Sequence, residues 1–191
     1  MYKNIIAAML LVLPAVSQAE IELSEEQIEE LLDVKIRFAT HMAFQPNIIR
    51  AVEAQNGKQL SLAQIKERDE TWISANGGSN SLIREITRND IARYLQRRVE
   101  NNTAIDEVFI TDNQGANVAA FPPTSDYWQG DEGKWTSSFN DGNGKIFIGP
   151  LEQDASTNKS QVQISAPIVS NNETIGVLIM GVSVDYIAAQ Q

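Results

Sequence analysis

The sequence predicts an α+β domain: long N-terminal helices followed by a five-stranded antiparallel sheet. Three observations predict it. Apolar residues recur at helical spacing from Glu20 to about Asn102. From about residue 105 to 187 the spacing becomes strand-like. The strand-like runs are separated by Asn/Asp/Gly turn signals rather than by further helices.

The elements follow in order. Residues 1–19 have Lys3, then an apolar run, then Ser17-Gln18-Ala19 with small residues at −3 and −1. This reads as a secretory signal peptide. Pro14 interrupts the run, and it is shorter than the ~20 residues that a membrane span needs. One domain over 20–191 is then expected, exported to the periplasm or secreted, with no second span and no output domain. The chain has no cysteine, so it folds without disulfides and carries no lipoprotein anchor at the cleavage site. The net charge of −10 disfavours nucleic acid and anionic membrane surfaces as partners.

Ser24 to Gln27 forms a capping-box pattern that opens a first helix, with Pro46 interrupting or kinking it and Asn56-Gly57 ending it. Ser61-Leu-Ala-Gln64 opens a second helix to about Ala75. A third runs from about Ser81 to Val99, where Arg97-Arg98 suit the negative end of the helix dipole. Strands are predicted at Glu107–Thr111, Asn117–Phe121, Lys145–Ile148, Gln161–Ile168 and Thr174–Val184. Gly115 supplies positive φ in the first hairpin turn, and Asn171-Asn172 make the last one.

Thr124–Trp135, TSDYWQGDEGKW, fits none of these classes. It is too aromatic for a plain surface loop and too charged for a core strand. Tyr127, Trp128 and Trp135 offer flat apolar faces beside Gln129, Asp131, Glu132 and Lys134. A small-molecule site needs this mixture of apolar wall and placed polar groups. Asp131 and Glu132 suit an ammonium group, and Lys134 suits a carboxylate. The same aromatics also suit packing of the segment onto the sheet. On the strands, Phe147 and the face carrying Gln161, Gln163 and Ser165 are further candidates, and Asp185 follows the last strand. The sequence leaves open which face meets a pocket.

Enzyme signatures are missing. There is no Walker loop, HExxH or GxSxG, and the single histidine, His41, lies in a helix. Asp112–Asn117 does not match a calcium loop. No cofactor, metal or catalytic residue is expected.

The ordered set of Glu107-Val-Phe-Ile-Thr-Asp-Asn-Gln-Gly115, Thr124–Trp135, Gln163-Ile-Ser-Ala-Pro-Ile168 and Thr174-Ile-Gly-Val-Leu-Ile-Met-Gly181 resembles the Cache, or PDC sensor, family. These are PAS-like extracytoplasmic ligand-binding modules of bacterial receptors. The resemblance implies a single Cache domain whose ligand lies between the sheet and the segment that crosses it after the second strand. It implies a non-catalytic, sensor-type module for a small polar metabolite: an amino acid, an amine or a short carboxylate. Tyr127, Trp128, Gln129, Asp131, Lys134, Trp135, Phe147, Gln163 and Asp185 are the expected ligand-binding residues. Family members usually join two membrane spans to an output domain, so this chain resembles a freestanding form. The alternative is an interaction module whose N-terminal helix pairs with a second copy or docks on a membrane receptor, without a small ligand.

Overall fold

The computed structural model describes residues 25–153 and 160–183. Residues 1–19, read above as a signal peptide, Ser24 of the first capping pattern, residues 154–159 and Asp185 lie outside them. Six helices precede or interrupt five strands: α1 (Glu25–Ala43), α2 (Pro46–Asn56), α3 (Leu62–Ile73), α4 (Ser81–Arg88), α5 (Asp90–Glu100), β1 (Ile105–Thr111), β2 (Asn117–Phe121), α6 (Gly133–Phe139), β3 (Phe147–Gln153), β4 (Ser160–Ser170) and β5 (Glu173–Ser183). The strands form one antiparallel sheet in the order β2-β1-β5-β4-β3. The α+β class and the strand count match the expectation. Among the described residues, no helix is long and apolar enough to cross a membrane.

The helices refine or depart from the sequence reading at three points. Of the two readings at Pro46, interruption holds: the first helix ends at Ala43, and a second begins with Pro46 at its first turn, where a missing N–H costs nothing. The helix expected over 81–99 is two helices. Asn89 is extended (φ −70, ψ 173), and its Oδ1 accepts from Ala92 N at 2.8 Å, capping α5. Its Nδ2 donates to Val118 O at 2.9 Å, which fixes the break against β2. In the sheet half, the short helix α6 begins inside the Thr124–Trp135 stretch, which fitted no element class, and runs past its end. By contrast, both bonds of the Ser61–Gln64 capping box are formed.

The sheet separates two layers. Leu32, Ala39 and Met42 of α1, Ile48 and Val52 of α2, and Leu95 of α5 pack on Val108, Ile110, Ile164, Ala166, Leu178 and Met180. Residues of opposite parity point the other way. Phe109, Val177 and Ile179 pack there with Ile65 and Trp72 of α3, Ile86 of α4, and Tyr127. The long helix thus covers the apolar face of β4, and Gln161, Gln163 and Ser165 face the opposite layer. This resolves the alternative that the sequence left open.

Candidate functional site

The second layer is built from the hairpin turn outward. Asp112 Oδ1 accepts from Gln114 N and Ala116 N, each at 2.9 Å, which closes the β1–β2 turn. Gly115 takes φ +84 there. The chain then returns along this turn after the second strand. Asn117 N donates to Tyr127 O at 2.9 Å and Gln129 N to Gly115 O at 2.8 Å, while Ala116 and Trp128 form an antiparallel bridge. Helix α3 fastens the same segment from the other side. Asp69 Oδ1 accepts from Tyr127 N at 2.8 Å and from Trp128 N at 3.0 Å, and Trp72 Nε1 donates to Thr124 O at 2.9 Å.

These bonds decide what the aromatics do. Tyr127 is fully buried; its ring lies 6.1 Å from that of Trp72, and the Arg68 guanidinium sits 5.1 Å above it. Burial pushes the Tyr127 hydroxyl above the usual phenol range. Trp128 donates from Nε1 to Gln114 O at 2.7 Å and lies under Lys66. Both rings fasten the segment to α3 and the hairpin turn. Asp131 is exposed.

Helix α6 then crosses over β3, β4 and β5 and forms a roof. Beneath it the register sets out two rows of side chains. Glu107, Gly181 and Gln163 are lateral partners on β1, β5 and β4; Phe109, Ile179, Ser165 and Phe147 form the next row, ending on β3. Glu107 is 2% exposed, and one of its carboxylate oxygens accepts from Gln161 Nε2 at 2.7 Å and from Gln163 Nε2 at 3.0 Å. Such charge-assisted bonds offset the cost of burying a carboxylate. Gly181 makes room for this arrangement. A Cβ at Gly181 would stand 2.1 Å from Gln161 Oε1 and 2.8 Å from Glu107 Cγ.

The roof carries its own polar groups. Lys134 Nζ lies 2.9 Å from Glu132 Oε2 and 5.4 Å from the centre of the Phe109 ring, with its side chain 14% exposed. Trp135 stacks on Phe139 with centroids 4.6 Å apart. Gln129 is buried and its amide donates to the Asp126 carboxylate. Burial, aided by the charges of Glu132 and Asp69, raises Asp126 to about 6. Buried side-chain atoms without a hydrogen-bond partner among the described residues include Ser165 Oγ and Gln161 Oε1 on the sheet, Gln129 Oε1 and Trp135 Nε1 of the crossing segment, and Arg68 Nε and Asn117 Oδ1 where that segment meets α3 and β2. Native structures leave few such atoms without a role.

The Asp126 shift gives a testable consequence. Between about pH 4 and 6 the folded carboxyl holds a proton that the unfolded one releases. Stability from this group is therefore fully present at the acid end and falls as pH rises through about 6. Urea denaturation across pH 4–7 should show wild type losing stability relative to Asp126→Asn over this window. Parallel pH profiles would contradict the assignment.

Of the expected binding residues, the structure brings Gln129, Lys134 and Trp135 of the roof into one layer with Phe147 and Gln163 of the sheet. Tyr127 and Trp128 lie in the packing beside it, and Asp131 faces solvent. Asp185 is outside the described residues. Glu107, Phe109 and Asp126 were not singled out. Period-2 alternation did carry a signal for the first two, since both oppose the apolar Val108 and Ile110. Among the described residues, no group of three or more His, Cys, Asp or Glu side chains is placed to hold a metal ion.

No protein-family model matches the sequence, and no curated protein matches it. Solved structures do match. The sensor domain of E. coli DcuS aligns over 87% of this chain and 98% of its own, at 13% identity and a TM-score of 0.55. The sensor domain of the V. cholerae histidine kinase DctB aligns over 86% of this chain at 16% identity and a TM-score of 0.53; this chain spans 53% of its length. At such identities the likeness concerns the backbone. The helices followed by a five-stranded antiparallel sheet, with a segment crossing it after the second strand, are the fold of the Cache, or PDC-type, sensor domains.

Proposed function

We propose that this chain is an exported, non-catalytic sensor-type module. It binds a small polar metabolite, an amino acid, an amine or a short carboxylate, between the sheet and the 124–139 segment. The observation that carries this reading is the set of buried, unpartnered polar atoms on the sheet and on the segment that crosses it: Ser165 Oγ and Gln161 Oε1 of β4, Gln129 Oε1 and Trp135 Nε1 of the crossing segment. A ligand with its own donors and acceptors would satisfy them. Lys134 supplies a cation for a carboxylate group, and the Phe109 and Phe147 rings supply apolar wall. The sensor-domain fold favours ligand binding over catalysis, and the reading assigns residues 1–19 to a cleaved signal peptide.

A thermal-shift screen against amino acids, amines and short carboxylates tests this. A ligand that binds only the folded state contributes about 2.7 kcal/mol at 100 times its dissociation constant. The expected hit loses its shift in Lys134→Met and in Ser165→Ala. A folded protein silent to all three classes would sink the reading. The rival, docking of the N-terminal helix on a second copy or a membrane receptor, has one observation in its favour: Val34 and Phe44 are each 55% exposed.

A further inference from the structure

A separate cavity of about 430 Å³ opens on the other side of the sheet, lined by Phe38 of α1, Tyr94, Arg97 and Arg98 of α5, and Asn101 and Asn102. Its chemistry is unlike the rest of this acidic chain. Arg97 and Arg98 make no ion pair among the described residues. On α5 itself, Asp90 pairs with Arg93, and Glu100 accepts from Gln96 Nε2 at 2.7 Å. The Arg98 guanidinium lies 4.9 Å over the Tyr94 ring, which holds it at the cavity wall. Lys35 is buried and donates to Asn102 Oδ1 at 3.3 Å, which ties α1 to the end of α5. Burial holds its ammonium below the usual lysine range.

The helix dipole explains one basic residue at the end of α5, and surface arginines alone would decide nothing. The second observation is Tyr94. Its hydroxyl is buried and has no hydrogen-bond partner among the described residues, although the residue lines the cavity. An acceptor oxygen entering the cavity would pair with the arginine forks and, once the side chains packed over it shift, with that hydroxyl. The Phe38 and Tyr94 rings would cover an apolar body.

We propose that this cavity is a second ligand site, specific for an organic anion that joins a carboxylate or phosphate to a flat apolar group. The site lies on the α1 side of the sheet and does not depend on the binding proposed on the opposite face.

Calorimetric titration of the full-length protein with benzoate, phenyl phosphate and inorganic phosphate tests it. Saturable binding is expected for at least one aromatic anion and weaker binding for inorganic phosphate. Arg97→Gln/Arg98→Gln should weaken that binding at least about tenfold, and raised salt should weaken it too. Tyr94→Phe should weaken it about threefold without lowering the denaturation midpoint, because it removes a hydroxyl that has no partner in the free protein. Lys134→Met on the other face should leave it unchanged. No saturable binding by either aromatic anion would overturn the proposal. So would binding that survives loss of both arginines, or inorganic phosphate binding as tightly as phenyl phosphate.

Discussion

Gly115→Val should destabilise the protein by about 3 kcal/mol or more, with the urea midpoint falling and the slope unchanged. Two costs add. At φ +84 a β-branched residue is strained by its own backbone. Its Cβ would also stand 2.4 Å from both Cα and N of Gly130, which are backbone atoms that cannot rotate away. Two glycines therefore cross where the 124–130 segment lies against the hairpin turn. Forcing them apart breaks the Gln129 N–H to Gly115 O bond and loosens the Ala116–Trp128 bridge. Gly133→Ala is the control: nothing lies within 4 Å of a Cβ there, so its effect should stay within about 0.5 kcal/mol. Equal losses from both substitutions would show that the glycine crossing does not hold the segment.

Gly181→Val should act on binding more than on folding. Its Cβ meets side-chain rather than backbone atoms, the Gln161 amide at 2.1 Å and Glu107 Cγ at 2.8 Å, so both side chains must shift while the strands keep their register. The Gln161 amide must then leave Glu107, and a buried carboxylate loses one of its two amide donors. A loss of about 1–3 kcal/mol in denaturation is expected, together with at least about a hundredfold loss of affinity for the screening hit. Affinity close to wild type in a folded Gly181→Val protein would exclude the Glu107–Gln163 row and Gln161 from the site.

Much of the fold was legible because it rests on local rules. The two periods, the Ser61 capping box, Gly115 in its turn and the Asn171-Asn172 hairpin act within a few residues. The missed features depend on distant partners. Asn89 ends one helix and starts the next only because Val118 of β2 supplies an acceptor. Helix α6 has no apolar period across Thr136, Ser137 and Ser138, and it forms because it has a sheet to cross. The site was legible by segment rather than by side chain. Thr124–Trp135 does lie across the sheet, but Tyr127 and Trp128 turn toward α3 because Asp69 captures their N–H groups. Nothing near residue 127 in the sequence points to Asp69. Glu107 reads as a strand start until the layer covering each sheet face is known.

The central claim is that the sheet beneath α6 holds a small polar metabolite. The most direct measurement is a crystal structure of the protein with the hit from the screen. The account predicts ligand density between the Glu107–Gln163 and Phe109–Phe147 rows and the roof, with polar atoms within hydrogen-bond distance of Ser165 Oγ and Lys134 Nζ. Ligand density elsewhere, with Ser165 and Trp135 packed against each other and dry, would contradict it.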